Sequence, residues 1–117
     1  MIAVIFEVQP VEGRAAEYFE IAASLRPELA KLDGFISIER FESVATRGKF
    51  VSLSFWRDEA AVAAWRNVDE HRMAQAKGRG GIFADYRIRV ASVMRDYSMT
   101  SRDEAPADSR EAHQSPR

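Results

Sequence analysis

Two polar side chains, His71 and Gln75, stand one helical turn apart in the run EHRMAQ, Glu70 to Gln75. His71 is the one histidine ahead of the C-terminal segment. An unperturbed imidazole titrates near pH ~6.5, which suits taking a proton from a phenol or quinol and returning it. The same residue would equally serve as a cap on the neighbouring loop. Trp65 precedes it on the same stretch and offers a flat apolar wall. Together His71 and Trp65 are the candidate catalytic pair. Around them the sequence supplies Trp56, Gln75, Arg79, Tyr86, Phe83 and Ser52 as candidate substrate contacts. Trp56 and Trp65 are also natural core residues, and Arg79 within Gly78 to Gly81 reads as an anion contact or as a helix-to-strand turn. A small, flat, electron-rich molecule is the ligand such a set would hold. The chain has no cysteine, so thiolate metal sites, disulfides and cysteine nucleophiles are excluded. With one histidine in the folded part and no carboxylates at ligand spacing, no metal site is expected.

The elements that must position these residues follow from hydrophobic periodicity. At 117 residues, 46% of them hydrophobic, the chain makes one domain. Ile2 to Val8 is an apolar, β-branched strand. From Arg14 to Leu32 apolar residues recur at helical spacing, with Pro27 predicting a kink or break near Leu25 and Gly34 ending the element. Phe35 to Ser43 and Lys49 to Trp56 form an antiparallel hairpin. Its parity puts Phe35, Ser37, Glu39 and Phe41 on one face of the first strand. Asp58 caps a short helix through Arg66, and Asp69 caps a second through Lys77. Ile82 to Tyr97 is a strand long enough to reach beyond its own sheet. Glu7, Arg87, Arg89 and Glu39 are placed to pair across strands, although either arginine could line a cavity instead.

The order strand, helix, strand, strand, helices, strand predicts an α+β, ferredoxin-like βαββαβ domain over residues 1–97, an antiparallel sheet with helices on one face. Phe50, Trp56 and Phe83 alternate against the apolar set of their strands, so both faces carry large rings and the bare face predicts a homodimer. Residues 98–117 have no aromatic and no branched aliphatic and predict a disordered tail. A net charge of -1 gives no electrostatic case for nucleic acid or anionic lipid. The first residues carry no signal-peptide pattern and no run is long enough to span a membrane, so a cytoplasmic protein is expected.

This order, with Gly34-Phe35, Phe55-Trp56, Trp65 and the block Glu70 to Gln75, resembles the antibiotic biosynthesis monooxygenase superfamily, in particular small members of its heme-degrading branch. The resemblance covers Met1 to about Tyr97 and implies a dimeric α+β barrel. For the heme degraders it implies a first-strand asparagine, a helical tryptophan and a histidine ligand. Trp65 fits the tryptophan, while Phe6 and Gln75 stand at the other two positions and His71 lies one turn before the ligand position. For cofactor-free oxygenases of aromatic polyketides it implies an asparagine and a tryptophan on the third strand. Here Ser52 and Trp56 stand there. The expectation is a small monooxygenase acting on an aromatic or quinol-type substrate with no cofactor required. Heme binding and a non-catalytic ligand-binding dimer are its alternatives.

Overall fold

The structure is a computed structural model that describes residues 1–77 and 81–114, with side chains described for 1–69 and 81–110. Four strands, β1 (Ile2–Pro10), β2 (Phe35–Glu42), β3 (Phe50–Trp56) and β4 (Phe83–Ser92), form one antiparallel sheet in the order β2-β3-β1-β4. Helices α1 (Ala15–Ala30) and α2 (Glu59–Lys77) lie on one face, and a third, α3 (Ala107–Gln114), follows the sheet. This is the ferredoxin-like α+β arrangement expected.

The inner strands β1 and β3 carry apolar residues on both sides of their pleats. Val4, Phe6 and Val8 point at the helices and are buried. Ala3, Ile5 and Glu7 point the other way. The registers Phe6↔Ser52 and Arg40↔Ser52 put Arg40, Ser52 and Phe6 in one row across the helix-facing side. Two apolar clusters form under the helices. One gathers Val4, Leu25, Leu29, Ile38, Trp56, Ala61, Val62 and Trp65; the other gathers Phe6, Val8, Tyr18 and Ile82.

Several local expectations are corrected. α1 runs unbroken through Pro27. Pro27 and Ala23, whose carbonyl loses its donor, are both exposed, so water can satisfy the orphaned oxygen. The two short helices predicted after β3 are one, α2. Asp58 does cap it, accepting from the Ala61 N–H at 2.9 Å, but Asp69 lies inside the helix. No proline or glycine separates the two halves, so nothing stops the ladder. β2 has a register shift between Phe35 and Ser37. It turns Phe35 to the helix side, where its ring meets Trp56 edge-on at 5.3 Å. A second shift opposite Gln9 and Pro10 brings Phe83 and Tyr86 to the same face, with ring centroids 6.2 Å apart. Phe50, Trp56 and Phe83 therefore all belong to the helix side. The bare face carries Ile5, Val51, Leu53, Phe55 and Phe41 instead.

On that bare face Glu7 accepts from Arg89 Nη1 at 2.8 Å and lies 3.6 Å from Lys49 Nζ. The Arg89 hydrogen bond holds the Glu7 carboxyl below its usual range, with desolvation opposing it. The strand β4 ends at Ser92, and the Val93 N–H reaching the Met1 carbonyl is the last ladder contact. Beyond it, where the composition predicts no fixed structure, the chain carries α3. Arg102 lies over the Tyr97 ring at 5.1 Å and bonds Ser109, contacts internal to this segment. The radius of gyration is 17.4 Å, against ~13 Å for a compact chain of about this length, so the segment projects from the domain.

Gly34 fixes how α1 meets α2. Its φ is 88°, and a Cβ there would lie 2.7 Å from Ala61 Cβ. Its carbonyl accepts from the Arg57 N–H at 2.8 Å, and Arg57 grips Asp33 with two bonds of 3.0 Å. Gly34→Ala meets both an unfavourable backbone conformation and a clash with α2. The expected cost is roughly 2–4 kcal/mol, read as a lower urea midpoint at unchanged slope.

Candidate functional site

The inward side chains of β3 are large at its ends and small in its middle: Phe50, Ser52, Ser54, Trp56. Ser52 and Ser54 are buried at 6% and 2% exposure. Helices resting on the large ends cannot reach the floor between them, and a hollow is left there. Phe6, Ile38, Arg40 and Ser52 form its floor; Tyr18, Ile21, Ala22, Leu25 and Leu29 of α1 form one wall; Trp65 and Asp69 of α2 form another, with Phe83 at the side. Its free interior is about 30 Å³, room for roughly one water, within about 510 Å³ of space between atoms counted out to its mouth. A larger guest must spread α1 from α2, against the packing of Leu25 and Leu29 with Ala61, Val62 and Trp65.

The structure places Trp65, Ser52 and Phe83 on this hollow. Trp65 is 6% exposed. Trp56 is instead fully buried in the apolar core, its Nε1–H donating to Ser54 Oγ at 2.9 Å. With its polar atom satisfied and no face on the hollow, it acts as a packing residue there. Tyr86 is half exposed, with its ring edge-on to Phe6 at 5.8 Å, and borders a separate polar cleft with Glu7, Lys49, Arg87 and Arg89. The side chains of His71 and Gln75, and Arg79 as a whole, lie outside the described residues.

Three polar residues on the hollow were not among the sequence candidates: Tyr18, Arg40 and Asp69. Arg40 shares parity with the buried Ile38, a signal present in the sequence. Tyr18 is 4% exposed and packs against Phe83 at 5.9 Å and Phe19 at 5.5 Å. Its hydroxyl and Arg40 Nε are shielded from solvent and have no properly placed hydrogen-bond partner among the described residues. Each such buried group costs about 1–3 kcal/mol. Burial pushes the Tyr18 hydroxyl above the usual phenol range. The Arg40 guanidinium beside it pulls it back, and the Asp69 charge adds to the rise. Asp69 is engaged in an interaction of its own. Among the described residues no three metal-binding side chains cluster, and no helix is long and apolar enough to cross a membrane.

A four-stranded antiparallel sheet with two helices on one face, and a small, mostly apolar hollow between the layers, defines an α+β ferredoxin-like domain. Residues 1–77 match the antibiotic biosynthesis monooxygenase family, and the chain belongs to that family. A relative named "Jasmonate monooxygenase ABM", from Pyricularia oryzae, is 50% identical over 93 residues, 80% of this chain. The match spans 43% of that relative's length. Rv0793 from Mycobacterium tuberculosis has the same fold, with TM-score 0.70 and 18% identity over 83% of this chain and 98% of its own. So does a MhuD variant solved with two manganese protoporphyrin IX molecules per active site, with TM-score 0.64 and 15% identity over 84% and 99%.

The Tyr18 environment has a titration signature. The chain has three tyrosines, of which Tyr86 and Tyr97 are exposed. Absorbance at alkaline pH should show a phenol that ionises above the usual range, and Tyr18→Phe should remove it. The unfolded chain loses that proton first, so the raised value makes stability fall as pH rises above ~10. An alkaline titration left unchanged by Tyr18→Phe above the usual phenol range would contradict the burial of this hydroxyl.

Proposed function

We propose that this chain is a small monooxygenase that draws a ring-containing, mainly apolar molecule into the hollow between α1, α2 and the sheet. The hollow itself, with Trp65 on its wall in a monooxygenase family, carries the reading. Aromatic and quinol substrates fit the flat Trp65 wall, and the name of the Pyricularia relative adds an alicyclic ketone acid to the class worth testing. The protein then needs neither metal nor flavin. A substrate with an acidic hydroxyl or an enolisable ring ketone gives up a proton and passes an electron to dioxygen. Recombination of the two radicals forms a C–O bond. Where the reacting carbon is a CH₂, loss of water leaves a carbonyl: one oxygen atom enters the substrate, the other leaves in water, and the substrate supplies all the electrons. His71 on α2 is the proposed proton acceptor, and Trp65 orients the ring.

Heme suits this site poorly. A porphyrin is wider than the hollow and would displace Leu25, Leu29 and Trp65 from the core they help to form. No step is routed through it.

Oxygen uptake on a panel of quinols, hydroxyaromatics and jasmonic acid tests the activity. At least one member should be turned over by the protein without added metal or flavin. Removing a general base costs about 10²–10⁴-fold, so His71→Ala should fall by that much at saturating substrate. Full turnover in His71→Ala would transfer the proton step to another group.

The same reading includes a homodimer closed over the bare sheet face. Phe41 is 44% exposed there, beside the half-buried Ile5, Val51, Leu53 and Phe55. Such a surface is larger than a lone apolar residue and favours self-association. Light scattering should give twice the 13.2 kDa chain mass, and Leu53→Arg should reduce it to the single-chain value. A monomeric parent protein would end this part of the reading.

A further inference from the structure

We infer that Arg40 and Tyr18 form a carboxylate anchor inside the hollow, so that the molecule this protein takes is a small, mainly apolar monocarboxylate. The inference rests on the hollow being the substrate site, and it names the substrate class of that site.

Three observations converge. First, among the described residues the hollow is apolar except for a few groups, and the one cation among them is Arg40, held on the floor by the register Arg40↔Ser52. Arg40 is only partly covered, yet its Nε is shielded from solvent on the helix-facing side, a position where an added hydrogen-bond acceptor is favourable. Second, Arg40 Nε and the Tyr18 hydroxyl are both shielded and lie against one another, and neither has any other partner among the described residues. Both are donors. Two donors side by side, one belonging to a planar charged fork, match the two oxygens of a carboxylate better than the single oxygen of a ketone or ether. Third, the tyrosine keeps its proton at neutral pH, so it offers a hydrogen bond to an anion.

Asp69 lies on the α2 wall and its charge opposes an incoming acid. It already has an interaction of its own, and the anchor sits across the hollow on α1 and β2. A carboxylate held at the floor leaves the apolar body of the guest against Leu25, Leu29 and Trp65. That is the orientation in which a ring, not the acid group, meets dioxygen.

The test is ligand binding by tryptophan fluorescence, with jasmonic acid, 1-naphthylacetic acid and the methyl ester of each. Wild-type protein should bind each acid about 10- to 100-fold more tightly than its ester, the range of a charge-assisted hydrogen bond. Arg40→Met should abolish that preference by weakening the acid while leaving the ester within about 2-fold. Tyr18→Phe, which deletes a hydroxyl without a protein partner, should keep the melting temperature and weaken the acid by roughly 3- to 10-fold. Should Arg40→Met fail to fold, Tyr18→Phe and Arg40→Lys carry the test. Equal binding of acid and ester by the wild type, no binding of any acid, or an acid preference that survives these substitutions overturns the anchor. A preference for acids that Asp69→Asn alone abolishes would also overturn it. Acid-selective binding without oxygen uptake supports the anchor and defeats the oxygenase reading. Uptake with neutral quinols and no acid preference does the reverse.

Discussion

The architecture depends on one mismatch of volume. β3 offers the helices two large rings, Phe50 and Trp56, separated by two serines. Helices are stiff, and a stiff cylinder laid across two posts cannot fill the dip between them. The core accordingly divides into two clusters, one around Trp56 and one around Tyr18 and Val8. Each is dense enough to hold a helix in place. What lies between them is left underfilled, and the fold supports a hollow at little cost because neither cluster depends on it. Replacing the serines with valines would join the clusters and remove the site.

This mismatch also explains why polar groups survive inside. A guanidinium on an inward strand position would ordinarily be driven out by desolvation. Arg40 is tolerated at the edge of the dip because β2 is an outer strand of the sheet, so its side chain is only partly covered and the hollow accommodates what is left. Tyr18 is buried more deeply, yet its ring contributes to the apolar cluster whatever its hydroxyl does. The structure thus keeps two donors in a dry place on the strength of their apolar parts. Dryness is what makes them strong, since water is the competitor that weakens every exposed ion pair in the molecule, including Arg57 with Asp33 and Glu7 with Arg89.

Much of this was legible in the residues. Strand and helix order followed from periodicity, and the Asp58 cap and the Gly34 turn followed from local chemistry. The alternation of β3 was legible, but which of its faces meets the helices was not, because Phe50 and Trp56 on one side and Val51, Leu53 and Phe55 on the other are all apolar. Where alternation is interrupted, at the register shifts beside Phe35 and before Tyr86, parity misassigned Phe35 and Phe83, because a bulge is set by the pairing partner and leaves no mark on its own strand. The continuity of α2 was misread because Asp69 looked like a cap. A capping residue is recognised by what precedes it, and Val68 does not end a helix. Arg40 could have been found from its parity with Ile38. Its neighbour Tyr18 could not, since the two are distant in sequence and meet only once α1 has docked.

Under the proposed function, the small free interior requires the helices to move. A hollow with room for one water admits a ring only when α1 and α2 part, against the Gly34 turn and the packing of Leu25 and Leu29 on Ala61, Val62 and Trp65. Opening exposes Leu25, Leu29 and Trp65, which is unfavourable in water and favourable against an apolar guest. The guest therefore replaces the contacts that the opening breaks, and the protein closes on molecules that are apolar enough to do so. For an oxygenase that takes its electrons from the substrate this coupling matters. A deprotonated ring that reacts with dioxygen in an open, wet cleft would lose its radical partner to solvent, whereas a cleft that closes because the guest fills it keeps both together until the C–O bond has formed. Under the proposed function, selection by fit and protection of the intermediate are one property, and both trace to the hollow above Ser52.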